Sequence, residues 1–130
     1  MTCAYWCVLI AALLPYVWTG VAKQAGQRYD NRDPRAWLTR QDNPRVQRAN
    51  AAQLNAFEAF PAFAAGVLMA QFAGVETTLV TMLAVAFIVL RVLHGLCYLG
   101  GLARARSAVW LGGIVCVITL MVQAALHIGT

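Results

Sequence analysis

The chain has 130 residues, of which 61% are hydrophobic and 12% charged, and its formal net charge is +5. A soluble domain carries about 45–50% apolar and about 25% charged residues. The balance here argues against a soluble enzyme, a disordered chain or a nucleic-acid binder, and points to a single-domain integral membrane protein.

Four apolar stretches follow one another, at about residues 2–22, 49–75, 77–99 and 107–128. Each reaches the roughly 20 residues that a helix needs to cross a hydrocarbon core. The short alternating segments of a closed barrel are not visible. In lipid the backbone must satisfy its own hydrogen bonds, so four spans predict four helices and an all-α membrane bundle. The first stretch lacks the basic leader of a signal peptide and reads as a membrane helix. Pro15 and Pro61 fall inside spans, where a kink is the usual result.

A polar loop at residues 23–47 separates the first two spans. It carries Lys23, Arg28, Arg32, Arg35, Arg40 and Arg45 against Asp30, Asp33 and Asp42, and Pro34 and Pro44 interrupt any continuous helix. The second connection is short and contains Glu76, read as a solvated charge. The third, before residue 107, contains Arg104 and Arg106. Cationic loops stay in the cytoplasm. The loops predict a cytoplasmic first and third connection, with both termini on the other side. The absence of a targeting signal suggests a bacterial inner membrane.

Ionisable residues inside spans are costly and default to function. The second span places Arg48, Gln53, Asn55 and Glu58 in its cytoplasmic half, and the third places Arg91, His94 and Tyr98 there. At about 100° per residue, Arg48 and Asn55 lie within about 20° of one another, with Glu58 about 60° from Asn55. Arg91, His94 and Tyr98 fall within about 60°. Gln53 lies well off its stripe and must face a different neighbour. At 1.5 Å per residue, Glu58 and Arg91 sit about 15 and 13 Å inside the same membrane face. They are expected to interact directly or through a shared ligand, with Asn55 and His94 matched nearer the surface.

Polar contacts between membrane helices can be simple glue, worth about 0.6–2 kcal/mol each. Their convergence at one leaflet, with Lys23, Arg104 and Arg106 just outside, favours a ligand site. The cations suit a ligand with two or more carboxylates, and Glu58 could hold an amine. Arg104, Arg106 and Ser107 stand at a helix start, which favours anions, thiolates included. A small peptide thiol and an acidic lipid headgroup both fit this inventory.

The second span reads Arg48-Ala-Asn-Ala-Ala-Gln53-Leu-Asn55-Ala-Phe-Glu58-Ala-Phe-Pro61. The third ends Arg91-Val-Leu-His94-Gly-Leu-Cys-Tyr98, followed by Arg104-Ala-Arg106-Ser107. In these elements, and in size and span layout, the chain resembles the membrane-associated proteins in eicosanoid and glutathione metabolism. The resemblance implies a homotrimer of four-helix subunits with glutathione bound between neighbours near the cytoplasmic face. By position it implies cofactor-binding roles for Arg48, Gln53, Asn55, Glu58, Arg91, His94 and Tyr98, with Lys23 where some members carry an arginine. Arg106 with Ser107, or Arg104 in place of Arg106, matches the residues that stabilise the thiolate. Two departures stand out: Ala51 where family enzymes often have a second arginine, and Trp110 where a tyrosine is often found.

The resulting expectation is a glutathione-dependent transferase or peroxidase acting on hydrophobic electrophiles or lipid hydroperoxides. Its partners would be membrane lipid, a hydrophobic small-molecule substrate and two further copies of itself, with no nucleic acid. The rival is a non-catalytic trimeric scaffold or lipid-binding protein of the same fold. Cys3 and Cys7 lack the partners of a zinc site, so no metal is expected. Trp6, Trp18, Trp37 and Trp110 read as at least partly interfacial belt residues. Gly66, Gly95, Gly112 and Gly113 read as packing positions.

Overall fold

The computed structural model describes residues 1–129. They form α1 (Thr2–Ala25), α2 (Pro34–Thr39), α3 (Pro44–Phe72), α4 (Thr77–Leu99) and α5 (Ala103–His127), with no strand among the described residues. The helices α1, α4 and α5 are long and apolar enough to cross a membrane. The 29-residue α3 is the longest. Its first half carries Arg45, Gln47, Arg48, Asn50, Gln53, Asn55 and Glu58, which dilute its hydropathy. It instead packs against all three apolar helices, while α4 also packs on α1 and α5.

The buried residues of α3 show how this packing works. Val46, Ala49, Ala52, Ala56, Phe63, Gly66, Val67 and Ala70 are buried at helical spacing. The small residues of the first half let α1 approach closely, and Leu14 and Trp18 of α1 pack on Ala52 and Ala56. In the second half Phe63 stacks on Phe87 of α4, with ring centroids 4.0 Å apart and planes 7° from parallel. Such a ring pair contributes about 0.5–1.5 kcal/mol beyond its buried area. Val67, Val80, Ala84 and Leu120 complete that core. At the same end of the molecule, the Tyr5 hydroxyl donates to Gln71 Oε1 and ties α1 to α3.

The polar loop is more ordered than its composition suggests. Its two prolines start helices rather than merely interrupting them. Pro34 opens α2 behind the Asp33 cap, and Pro44 opens α3 behind the Asn43 cap. Trp37 of α2 is buried, and its indole N–H donates to the Arg28 carbonyl at 2.9 Å. Gln41 is buried too, accepting from the Gln27 N–H and donating to the Trp37 carbonyl. Asn43 donates to the Ala25 carbonyl, and Gln47 to the Gln41 carbonyl. These bonds staple the loop to the adjacent ends of α1 and α3.

Other expectations are corrected. Trp18 and Trp37 are only 5% and 4% exposed, so they are core residues, whereas Trp6 and Trp110 face outward at 60% and 44%. Glu76 is exposed, as expected of a solvated charge, and it also caps α4, accepting from the Thr78 and Leu79 N–H groups. The α4–α5 connection is shorter than expected, because α5 begins at Ala103 and takes Arg104 and Arg106 into its first turns. Pro15 and Pro61 lie inside α1 and α3, which continue past them, as membrane helices that carry a proline do.

Candidate functional site

The α4 helix brings Arg91 and His94 inward, and both are buried, at 5% and 3% exposure. Arg91 does not pair with Glu58. Its Nη2 donates to Asn55 Oδ1 at 2.7 Å, and Arg32–Asp30 is the one ion pair within 4 Å among the described residues. Asn55 lies one turn nearer the polar end than Glu58, within reach of the long arginine stem. A neutral amide partner also spares the structure the desolvation of a second charge. Asn55 is therefore not matched with His94 as the depth arithmetic suggested. His94 instead meets Tyr98, edge to face at 5.5 Å.

Glu58 and Arg91 nonetheless line one cavity of about 220 Å³, together with Asn55. Its remaining walls come from Ala59, Ala62, Phe87, Trp110, Gly113, Ile114 and Val117. It is an apolar hollow between α3, α4 and α5 with one carboxylate, one guanidinium and one amide on its surface. Apart from Trp110, the apolar wall residues carry no chemical signature by which a sequence reader would choose them. Gly113 was legible only as a small residue, and here it lies beside Phe87 and the Arg91 side chain.

Toward the polar end, Arg106 of α5 sits over the Tyr98 ring, its guanidinium carbon 4.4 Å from the ring centroid. A run of groups thus extends along α4 from Arg91 through His94 and Tyr98 to Arg106. Arg104 and Ser107 are exposed on the first turns of the same helix as Arg106. That helix start has no acidic residue in its first turn and no side-chain cap. Its free N–H groups and two arginines make it electropositive.

The remaining candidates lie elsewhere. Arg48 is exposed, and its guanidinium rests against Gly101 in the α4–α5 connection. Gly101 has φ +69°, which a glycine adopts without strain. Lys23 and Gln53 line a second cavity of about 220 Å³, with Thr19, Tyr29, Arg35 and Asn50 among its walls. The Lys23 ammonium lies 4.4 Å above the Tyr29 ring. Gln53 thus faces away from the stripe of Asn55 and Glu58. Tyr29, Arg35 and Asn50 were not singled out from sequence, because their place depends on how the polar loop folds back.

Most of the candidate residues therefore divide into two groups on different sides of α3, with Arg48 against Gly101 and the exposed Arg104 and Ser107 apart from both. Asn55, Glu58 and Arg91 share one hollow, while His94, Tyr98 and Arg106 follow one another toward the polar end without lining it. Lys23 and Gln53 share the other. Comparison with curated proteins and with solved structures finds no match. Residues 3–126 match the family model described as MAPEG family, and the chain belongs to that family.

Proposed function

We propose that the chain is a glutathione-dependent membrane transferase or peroxidase acting on hydrophobic electrophiles or lipid hydroperoxides, built as a homotrimer of four-helix subunits in which α3 crosses the bilayer beside α1, α4 and α5. The observation that carries this reading is the division of the polar residues between two faces of α3. Lys23 and Gln53 open to one side, while Asn55, Glu58 and Arg91 open to the other. A site completed between neighbouring subunits would use one group from each.

The donor set fits glutathione. Arg91 has five N–H donors, of which the bond to Asn55 uses one. Together with Arg48 and Lys23 it offers cations for two carboxylates, and Glu58 offers a counter-charge for the amine. Bound glutathione would supply a thiol nucleophile. Arg106 and the open N-terminus of α5 would favour the ionised form of that thiol, and Ser107 could donate a hydrogen bond to it. The Tyr98 ring would hold Arg106 in place while the thiol ionises. Phe87, Ile114, Val117 and Trp110 would keep the adjoining hollow apolar, suited to a substrate that partitions from lipid. The polar end would then face the cytoplasm.

The test is turnover of a chloronitrobenzene or a lipid hydroperoxide by the purified protein with glutathione. Activity above background that falls sharply in Arg106→Ala supports the reading. No turnover from the wild-type protein counts against it. Ala51 favours a second reading. An arginine there would add a charged hydrogen bond worth about 1.5–3 kcal/mol, and its absence suits a scaffold or lipid-binding protein of the same fold. No thermal stabilisation by millimolar glutathione would select that alternative.

A further inference from the structure

The polar loop raises a question that the glutathione reading leaves unanswered. Basic loops orient membrane proteins whether or not they are folded. This one is folded: buried Trp37 and Gln41, and the bonds of Asn43 and Gln47, fix it to the ends of α1 and α3. The loop's acidic groups are largely committed. Asp30 accepts from Arg32 Nε at 3.1 Å and Nη2 at 3.2 Å. Asp33 accepts from the Ala36 N–H as the cap of α2. Arg28, Arg35, Arg40 and Arg45 are all exposed, and none has a carboxylate within 4 Å among the described residues. All four lie on a platform that begins where the apolar run of α1 stops, at Lys23.

We propose that this platform is a docking surface for acidic phospholipid headgroups. The partner is chosen by charge and by place. The cations are planar guanidinium forks, which pair phosphate oxygens bidentately. They stand on the segment that joins two long helices, from Arg28 just after α1 to Arg45 in the first turn of α3, which a bilayer crossed by α1 would bring to the headgroup region. The folded backbone carries all four on one ordered segment, so headgroups are met without the cost of ordering a loose chain. The inference rests on α1 crossing the bilayer, and it does not depend on glutathione chemistry.

The experiment is native mass spectrometry of the full-length protein in detergent, titrated with phosphatidylglycerol and phosphatidylcholine of identical acyl chains. Wild-type protein is expected to retain phosphatidylglycerol in preference. Replacing Arg28, Arg35, Arg40 and Arg45 together by Gln should abolish that preference, while the matching Lys variant keeps only the part due to charge and loses the part due to bidentate pairing. A basic residue at a lipid surface contributes about 1 kcal/mol, so each Gln replacement should lower the preference by up to about fivefold. Because the four side chains are exposed, both variants should keep the wild-type unfolding temperature. Equal retention of the two lipids by the wild type overturns the proposal, and so does an unchanged preference in the Gln variant. Glutathione turnover of the wild-type protein, together with the lipid preference of an Arg28→Gln, Arg40→Gln, Arg45→Gln variant that leaves Arg35 in the Lys23 cavity, separates failure of this proposal from failure of the enzymatic one.

Discussion

The Arg91 guanidinium of α4 donates to the Asn55 side-chain carbonyl of α3 at 2.7 Å. Arg91 is 5% exposed, so this bond supplies a protein partner for a cation that water barely reaches. Asn55→Ala would leave that cation short of an acceptor. A hydrogen bond to a charged group is worth about 1.5–3 kcal/mol, so the variant is expected to lose about 2 kcal/mol of stability. Asn55→Asp restores an acceptor and should lose less. Chemical unfolding in detergent, followed by circular dichroism, checks both. An Asn55→Ala protein as stable as wild type would show that the bond is dispensable.

The contact between α1 and α4 depends on Gly95. A Cβ there would lie inside the van der Waals envelope of the Trp18 indole, against its six-membered ring. Trp18 is 5% exposed and packs on Ala52 and Ala56 of α3, so the ring has nowhere to move. Gly95→Ala is therefore expected to cost about 1–3 kcal/mol, as overpacking of a filled core does. Combining it with Trp18→Leu should recover part of that loss, because the smaller side chain makes room. The double variant's unfolding free energy decides the matter: no recovery would place the strain elsewhere.

These two contacts show what periodicity could and could not reveal. The polar stripes on α3 and α4, and the odd direction of Gln53, follow from the turn angle of a helix. The register between the stripes does not, because a long arginine can bond one turn away from where its Cα points. Hence Asn55, and not Glu58, holds Arg91. The polar loop was harder still. Trp37 and Trp18 have the composition of belt residues, and only the folding back of α2 and the gap left by Gly95 turn them into core. Glu76 looked like a loop charge because its role rests on two backbone N–H groups that no side-chain pattern announces.

The stacking of Arg106 on Tyr98, at 4.4 Å, gives the proposed chemistry a specific dependence. An exposed cation–π contact is worth about 0.5–1 kcal/mol. Tyr98→Leu removes the ring and should lower kcat/KM with glutathione by about two- to fivefold. Tyr98→Phe keeps the ring and should retain most of that part of the activity, apart from anything the hydroxyl contributes to binding. Steady-state kinetics of the two variants would show whether the ring face matters. Equal losses in both would assign the effect to the hydroxyl instead.

Acid should loosen the start of α4. Hydrogen bonding by the Thr78 side chain, joined by the N–H groups of Thr78 and Leu79, holds the Glu76 carboxylate below the usual carboxylate range. An unfolded chain titrates the same group near about 4.3. Because the folded value is the lower one, the stabilisation is complete above about pH 4.3 and disappears as pH falls through the folded value. Glu76→Gln keeps an acceptor but carries no charge, so its unfolding temperature should lack this acid-dependent component. The comparison is of the two unfolding temperatures between pH 7 and pH 3, in one detergent. Asp30, held low by its bonds from Arg32, is present in both proteins and cancels from the difference. Curves that stay parallel throughout would mean that the cap contributes nothing to the acid response, and the helix would then owe its start to packing of Val80 and Ala84 in the core.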